Sequence, residues 1–186
     1  MSYTTFDRYL ACRRFRAAAP HIRKGARICD IGCGLDASFL RWLGPRIQGG
    51  LGLDYQVHQG VSRASVVFAD ITQKLPVKSG QFDHAVLLAV LEHLRDPGCV
   101  LRETHRVLVP GGSLIMTWPV AAVDPILRVL HRIGLVSKEM ESEKHEHRIP
   151  LPALQTMLRD IGFERFRHRT FEFGLNNLLV AYKAER

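Results

Sequence analysis

The chain has few cysteines, few aromatic residues and no long hydrophobic run. Its four cysteines stand at positions 12, 29, 33 and 99, and no two of them form a C-x-x-C pair. This spacing indicates neither a disulfide framework nor a zinc ribbon, and it is typical of a reducing cytoplasm. No apolar run reaches the roughly 20 residues of a membrane span, and arginines interrupt the first residues, where a secretory signal would be apolar. We therefore expect a cytoplasmic protein without a transmembrane segment.

Acidic residues are scarce at the start of the chain. The sequence as a whole carries 26 lysines and arginines against 18 aspartates and glutamates, a net charge of +8. Residues 1–27 hold seven of these cations against the single carboxylate of Asp7. Such a segment can meet nucleic acid or an anionic membrane surface. Aromatic residues are not interleaved with the arginines as in a stacking platform, so the sequence favours a solvated helix face and keeps nucleic acid as an alternative partner.

Strand patterns alternate with helix patterns along the chain, which predicts a parallel sheet with helices on both faces. We expect one domain over residues 1–186, with an N-terminal helix in residues 1–25 and an insertion at 118–148 that forms a lid over a substrate. The apolar face of the insertion could instead touch a membrane peripherally. The predicted helices are 5–19, 97–108, one starting at Asp124 and 152–161, and the predicted strands are 27–31, 50–54, 65–69, 82–88, 113–117, 163–170 and 178–183.

A glycine turn follows the first predicted strand. Asp30, Gly32 and Gly34 form a D-x-G-x-G pattern before a helical stretch, and Asp54 ends the next apolar run. Glycines let the backbone approach a ligand closely, and an acidic residue at the second strand can accept both hydroxyls of a ribose. The pattern therefore predicts a ligand with an adenosine-like ribose.

The turn alone leaves the cofactor open, because nicotinamide enzymes share it. The Asp30 carboxylate suits a ligand with an amino group and would repel a pyrophosphate. Asp70 ends a third apolar run and is placed to accept from an adenine amino group. The chain also has no Tyr-x-x-x-Lys pair for hydride chemistry.

With these residues, the sequence resembles the class I S-adenosylmethionine-dependent methyltransferases, specifically the small type with a D-x-G-C-G turn. The resemblance runs over almost the whole chain and rests on these segments: Asp30–Gly34, Gly52–Asp54, Ala69–Ile71, Leu75–Pro76, Phe82–Asp83, Leu91–Leu94 and Arg106–Gly112. It implies a Rossmann-like, doubly wound α/β fold whose seven-stranded mixed sheet ends in an antiparallel strand pair. It also implies S-adenosylmethionine as cofactor.

The resemblance extends to a set of cofactor-binding residues. Arg14 would reach the cofactor carboxylate, and Tyr55 and Ile71 would pack on the adenine. The full set is Arg14, Asp30, Gly32, Cys33, Gly34, Asp54, Tyr55, Asp70, Ile71 and Leu88. In one departure, Asp36 stands where the family usually has a third glycine, and we expect Asp36 to cap the following helix.

Histidines are the candidate general bases. His93 follows the fourth predicted strand, and a histidine that orients an acceptor or removes its proton belongs there. His145 and His147, within KHEHR, precede the helix that borders the acceptor pocket in related enzymes. The alternative for each is structural: a histidine bonded to backbone, or a solvated charged loop. The sequence predicts no metal site, since Ala89 and Val90 add no ligand beside Glu92 and His93.

The sequence thus predicts methyl transfer from S-adenosylmethionine to a small-molecule or a glycan- or lipid-linked acceptor. The closing segment FEFGLNNLLVAYK resembles the ends of methyltransferases from bacterial surface-polysaccharide clusters. The alternatives are a nucleic-acid methyltransferase, a nicotinamide-dependent oxidoreductase and a non-catalytic adenosine-binding regulator.

Overall fold

The computed structural model of the chain describes residues 5–55, 65–120 and 149–185. Three short 3-10 turns, Ala19–His21, Gly44–Arg46 and Leu91–His93, join its longer elements. The helices are α1 (Thr5–Ala18), α2 (Ser38–Leu43), α3 (Pro97–Val107) and α4 (Leu151–Ile161). The strands are β1 (Arg27–Ile31), β2 (Gly49–Asp54), β3 (Ser65–Phe68), β4 (Phe82–Leu88), β5 (Leu108–Pro119), β6 (Phe163–Phe171) and β7 (Asn176–Lys183).

Within the described residues, the strands form one seven-stranded sheet in the order β3-β2-β1-β4-β5-β7-β6. The first five strands are parallel, and β7 runs antiparallel between β5 and β6. This confirms the predicted fold class, including the closing antiparallel pair. The strand order reverses between β1 and β4, and open α/β sheets bind their ligands at the carboxyl ends of strands beside such a reversal.

Apolar side chains cover both faces of the sheet. On one face, Val100 and Leu101 of α3 and Leu154 and Leu158 of α4 belong to the same buried core as Met116 of β5. On the other face, the core contains these residues of α1, α2 and the sheet: Ala18, Phe39, Leu40, Leu43, Ile28, Ile115 and Val180. Helices therefore cover both faces, as the alternating pattern predicts.

Strand β5 is longer than the sequence predicts. Helix α3 ends at Val107 and β5 starts at once, so the segment Pro110-Gly111-Gly112 lies inside the strand instead of before it. The register shifts between Phe82 and His84 of the neighbouring β4, and Gly111 has a φ of +70°. The glycines therefore form an irregularity within a continuous strand and do not end it.

Strand β7 also starts earlier than predicted. Asn176 and Asn177, which precede the predicted strand 178–183, are its first two residues and pair with β5. The connection between β6 and β7 is therefore only residues 172–175. Its first three residues all have positive φ angles, of 53°, 56° and 83°.

The amino end of the sheet is closed by hydrogen bonds within the chain. The buried His84 ring meets Ser113 Oγ through Nδ1 at 2.7 Å, and its Nε2 accepts from the Arg23 amide at 3.2 Å. Burial, and then the positive charge of Arg23, lower the His84 pKa to about 4, so the ring is neutral at pH 7. Beside it, Asp83 accepts from the Arg27 amide at 2.8 Å and pairs with both guanidiniums, of Arg23 and Arg27.

The predicted lid falls largely outside the described residues. Trp118 and Pro119, assigned to its start, are the last residues of β5. The helix expected from Asp124, together with His145 and His147, lies in the part that the structure does not describe. In the described ranges, no helix has the length and apolar character needed to cross a membrane.

Candidate functional site

The turn between β1 and α2 lies tightly against the neighbouring strand. The amides of Gly32 and Cys33 both donate to the Leu53 carbonyl, at 2.7 and 3.2 Å. Gly32 has a φ of +76°, and a Cβ added to it would lie 2.5 Å from Val90 Cγ2. Because side chains are excluded here by both space and backbone conformation, only glycine fits at this position.

A second glycine lets β2 approach the same turn. A Cβ on Gly52 would lie 2.7 Å from Cys33 Sγ, so this position has no room for a side chain. Burial raises the pKa of the Cys33 thiol, and the carboxylates of Asp30 and Asp54 raise it further. The thiol is therefore neutral and contributes shape to the turn, without nucleophilic character.

Two carboxyl groups meet behind the turn. Asp54 Oδ2 accepts from the Gly34 amide at 2.8 Å, which fixes the turn to the end of β2. Asp30, at the end of β1, is buried, and burial followed by the nearby Asp54 charge raises its pKa to about 7. A cationic ligand group would offset this cost and favour the ionised form. The pair thus suits a ligand that brings both hydrogen-bond donors and a positive charge.

The ends of β2 and β3 supply the outer wall of the site. Asp70 accepts from the Thr72 amide at 2.9 Å and from the Thr72 hydroxyl at 2.6 Å, through the same Oδ1 atom. These bonds lower the Asp70 pKa and keep the exposed carboxylate charged. Ile71 is buried beside it, whereas Tyr55 is 63% exposed at the end of β2.

Asp36 does not cap α2 as predicted. Ala37, with a φ of 45°, occupies the N-cap position and makes no side-chain capping bond. The Asp36 carboxylate instead accepts from the Ser38 hydroxyl at 2.5 Å and from Arg41 Nη2 at 2.7 Å. The prediction was wrong because the residue directly before the helix is Ala37, in a left-handed conformation, and Asp36 lies one residue too early to act as the N-cap. Asp36 pins the turn to α2 through side chains.

The end of β4 continues the site. Leu88 is half-buried, and the next residue, Ala89, has a φ of 59° while its amide donates to the Thr117 carbonyl at 2.9 Å. A positive φ at an alanine is uncommon and is held here by that bond. His93 then ends the 3-10 turn, exposed, with its amide donating to the Val90 carbonyl at 3.1 Å.

Three buried polar atoms at this end of the sheet have no hydrogen-bond partner among the described residues. They are Arg14 Nε on α1, Thr117 Oγ1 at the end of β5 and Glu172 Oε1 in the turn after β6. Burial raises the Glu172 pKa, although Arg14 and Arg13 act in the opposite direction. Buried polar groups are normally paired, so these three atoms, unpaired among the described residues, are candidates to bind a ligand.

Two of these three residues were missed by the sequence analysis. Thr117 carries a weak signal, because it is the polar residue in the apolar strand SLIMTW. Glu172 carries none, since it reaches the site only through the consecutive positive φ angles that follow β6. Arg14 was expected at the cofactor, and α1 does bring it to this end of the sheet.

The geometry defines a class of protein. A sheet of this order, with a glycine turn after β1 and carboxylates at the ends of β1 and β2, is the class I S-adenosylmethionine-dependent methyltransferase fold. The chain belongs to the methyltransferase domain family, whose model matches residues 3–167. The chain is therefore a methyltransferase domain of the S-adenosylmethionine-dependent class, and the nicotinamide oxidoreductase alternative is not supported.

Individual relatives differ in the acceptors that their names give. The ubiquinone biosynthesis O-methyltransferase of Pseudomonas aeruginosa is 32% identical over 103 residues, covering 50% of this chain and 44% of its own length. The tRNA U34 carboxymethyltransferase of Ectopseudomonas mendocina is 28% identical over 170 residues, covering 83% of this chain and 50% of its own. The chain thus spans about half the length of the curated relatives it matches.

Solved structures agree with the fold. A methyltransferase structure from Thermotoga maritima superposes with a TM-score of 0.70 at 19% identity, covering 96% of this chain and 91% of that one. At this identity the likeness concerns the fold alone.

Proposed function

We propose that the chain methylates a small-molecule acceptor, free or linked to a glycan or lipid, as in the assembly of bacterial surface polysaccharides. The observation that carries the proposal is the combination, at one end of the sheet, of the Asp30–Asp54 cradle and three buried polar atoms that have no partner among the described residues. The cradle and Arg14 suit the methyl donor, and the oxygens of Thr117 and Glu172 suit a polar acceptor beside it. The O-methyltransferase relatives support an acceptor of this size.

In this proposal, each wall of the site holds one part of the cofactor. Asp54 accepts hydrogen bonds from the ribose hydroxyls. Asp30 binds the amino group, and Asp70 accepts a hydrogen bond from the adenine amino group. The adenosine is packed by Tyr55, Ile71 and Leu88. The turn that approaches the cofactor closely is formed by Gly32, Cys33 and Gly34. Arg14 binds the cofactor carboxylate. The bound cofactor supplies an activated methyl group, so the remaining task of the chain is to orient the acceptor.

His93 is the proposed base. His93 is exposed just beyond the end of β4, and a hydroxyl acceptor has to lose its proton during transfer. Thr117 and Glu172 are placed to hydrogen-bond the acceptor, because each has a buried oxygen without a partner among the described residues. His145 and His147 remain candidate bases from the predicted lid.

The proposal is tested by transfer of a radioactive methyl group to a panel of phenolic and sugar acceptors. His93→Gln should lower kcat by roughly 10²–10⁴-fold and leave S-adenosylhomocysteine affinity nearly unchanged. His168→Gln, an exposed histidine on β6, serves as the matched control and should keep full activity. The same assay applies to His145→Ala and His147→Ala. Full activity in all three variants would mean that no histidine acts as the base.

Methylation of a nucleic acid is the second candidate function. It is favoured by the basic α1 and by the relative named for a tRNA substrate, which covers more of this chain than the small-molecule enzymes do. Methyl incorporation into bulk tRNA, with none into the small acceptors, would select this candidate.

A further inference from the structure

One edge of the sheet carries a row of arginines. Strand β6 is the last strand of the sheet, and its Arg165, Arg167 and Arg169 alternate with other residues, so all three project from one face. We call these three residues the arginine row. Neighbouring members are about 6.6–6.8 Å apart along the strand. All three are exposed, and the Arg165 side chain is 67% exposed.

The basic N-terminal segment lies beside this row. Arg169 Nη2 donates to the Ala17 carbonyl at 3.2 Å, which joins the row to the end of α1. Next to it, burial lowers the His21 pKa, and the charges of Arg169 and Arg167 lower it further. The exposed Arg16 adds another cation on α1. Two basic segments more than 140 residues apart in sequence therefore form one positive surface.

Little negative charge balances this surface. Among the described residues, the row makes one ion pair, between Arg165 and Glu185 at 3.7 Å, and both side chains are largely exposed. An exposed pair of this length contributes little. The row therefore keeps most of its charge for a polyanionic partner.

Two of the three guanidiniums of the row lie over an aromatic ring. Arg165 lies 5.1 Å and Arg167 6.0 Å from the ring centroid of Tyr182, which projects from the adjacent β7. Stacking on an aromatic ring fixes a guanidinium plane and leaves its N–H groups free to reach phosphate oxygens. Where β6 ends, Phe173 is fully exposed in the turn to β7. An exposed aromatic ring beside a basic row is the arrangement on which unpaired bases stack.

We infer that the arginine row, with Arg16 and Phe173, is a docking surface for a single-stranded nucleic acid. A linear row of guanidiniums matches the spacing of a chain of phosphates, whereas a membrane surface would call for a broad apolar face beside the charges. Strand β6 runs parallel to β5, so the row leads to the carboxyl end of the sheet, where the candidate site lies. The inference goes beyond the proposed methyl transfer, because binding at this surface does not depend on which acceptor is methylated.

Fluorescence polarisation with a labelled 20-nucleotide oligouridine tests the surface. The triple variant R165Q/R167Q/R169Q should lower affinity by roughly 10–100-fold at low salt. Three lost phosphate contacts should also reduce the slope of log affinity against log salt by about 2. The matched control R46Q/R102Q/R159Q removes the same charge from other elements and should stay within about threefold of the parent. Phe173→Ala should weaken binding by about fivefold or more.

Several results would overturn the inference. An equal loss of affinity in both triple variants would show that net charge alone determines binding. Failure of the parent to bind oligouridine would also overturn it. So would binding to phosphatidylglycerol vesicles that depends on the row, without oligouridine binding. Calorimetry with S-adenosylhomocysteine keeps this test separate from the proposed function, since the triple variant should bind it as the parent does. If the triple variant fails to fold, Arg167→Gln alone should still reduce affinity about threefold, and its matched single control Arg102→Gln should leave affinity unchanged.

Discussion

The two ends of the sheet treat buried polar groups in opposite ways. At the amino end, His84 is bonded on both ring nitrogens and Asp83 pairs with two arginines and an amide. At the carboxyl end, Thr117 and Glu172 keep buried oxygens without a partner in the described residues, and Asp30 is buried beside another carboxylate. Burial of polar groups is costly unless they are bonded. The amino end therefore stabilises the fold, and the carboxyl end is left for ligands to complete.

The difference separates residues that act on stability from residues that act on binding. Changes at the amino end should lower the free energy of unfolding and leave cofactor affinity intact. Changes at the carboxyl end should lower cofactor affinity, and some should stabilise the free protein. Active sites commonly show this trade between stability and activity.

The largest effect is expected for Asp30→Asn. The Asp30 pKa is raised from 3.8 to about 7, so the folded state binds the proton more tightly than the unfolded state. The stability that this protonation provides is complete below pH 3.8 and is lost as pH rises to about 7 and beyond. Asparagine cannot ionise, so the variant does not lose this stability as pH rises. Asp30→Asn should therefore raise the unfolding free energy at pH 8 by as much as about 4 kcal/mol.

Urea unfolding of the ligand-free protein at pH 4.5 and pH 8 measures this effect. The gain should shrink to about 1 kcal/mol at the lower pH, because pH 4.5 is still above the unfolded-state pKa of 3.8. Asp160→Asn, an exposed carboxylate on α4, is the control and should change stability little at either pH. An Asp30→Asn variant with the same pH dependence as the parent would show that Asp30 ionises freely in the fold.

A smaller effect is expected for Asp54→Ala, on binding. S-adenosylhomocysteine affinity should fall by about 1.5–3 kcal/mol, the range for hydrogen bonds to a charged group. Because Asp54 also accepts from the Gly34 amide, Asp54→Asn is the informative comparison. Asparagine keeps an oxygen for that amide but lacks the charge. Calorimetry should therefore find that Asp54→Asn also binds S-adenosylhomocysteine more weakly than the parent. Parent-like affinity in Asp54→Asn would show that the loss in Asp54→Ala comes from the missing bond to the Gly34 amide. Unchanged affinity in Asp54→Ala would show that Asp54 does not bind the ribose.

Most of the fold, and the carboxylates that end β1, β2 and β3 in the candidate site, could be predicted from the sequence. The strands around Asp30, Asp54 and Asp70 have strong local signals, namely apolar runs that end in a carboxylate. The Asp36 cap failed because a left-handed residue, here Ala37, has no sequence signal when it is not glycine.

The rest of the site depends on contacts distant in sequence. Glu172 comes near Arg14 only when the β6–β7 turn folds against α1, 158 positions apart in the chain. The same holds for Arg169 and Ala17, which join the two basic segments. Pattern and spacing describe local elements, and such pairings are fixed only by the order of strands in the sheet.

The smallest effect, and the counterpart at the amino end, is expected for His84→Leu. Loss of the ring leaves Ser113 Oγ and the Arg23 amide without their partner, which should lower the unfolding free energy at pH 7.5 by about 1–2 kcal/mol. The His84 pKa is depressed to about 4 in the fold, so its contribution is complete above pH 6.5 and is lost as pH falls toward 4. The gap between parent and variant should therefore close between about pH 5 and 6 and reverse at lower pH.

Urea unfolding across that range, with His168→Leu as the exposed control, provides the measurement. The control should change the unfolding free energy by less than about 0.5 kcal/mol at every pH. S-adenosylhomocysteine affinity should be the same in His84→Leu and the parent, because the ring lies at the opposite end of β4 from the cofactor turn. A large loss of affinity in His84→Leu would contradict the separation of the two ends, since it would mean that the bonded amino end also sets the geometry of the binding end.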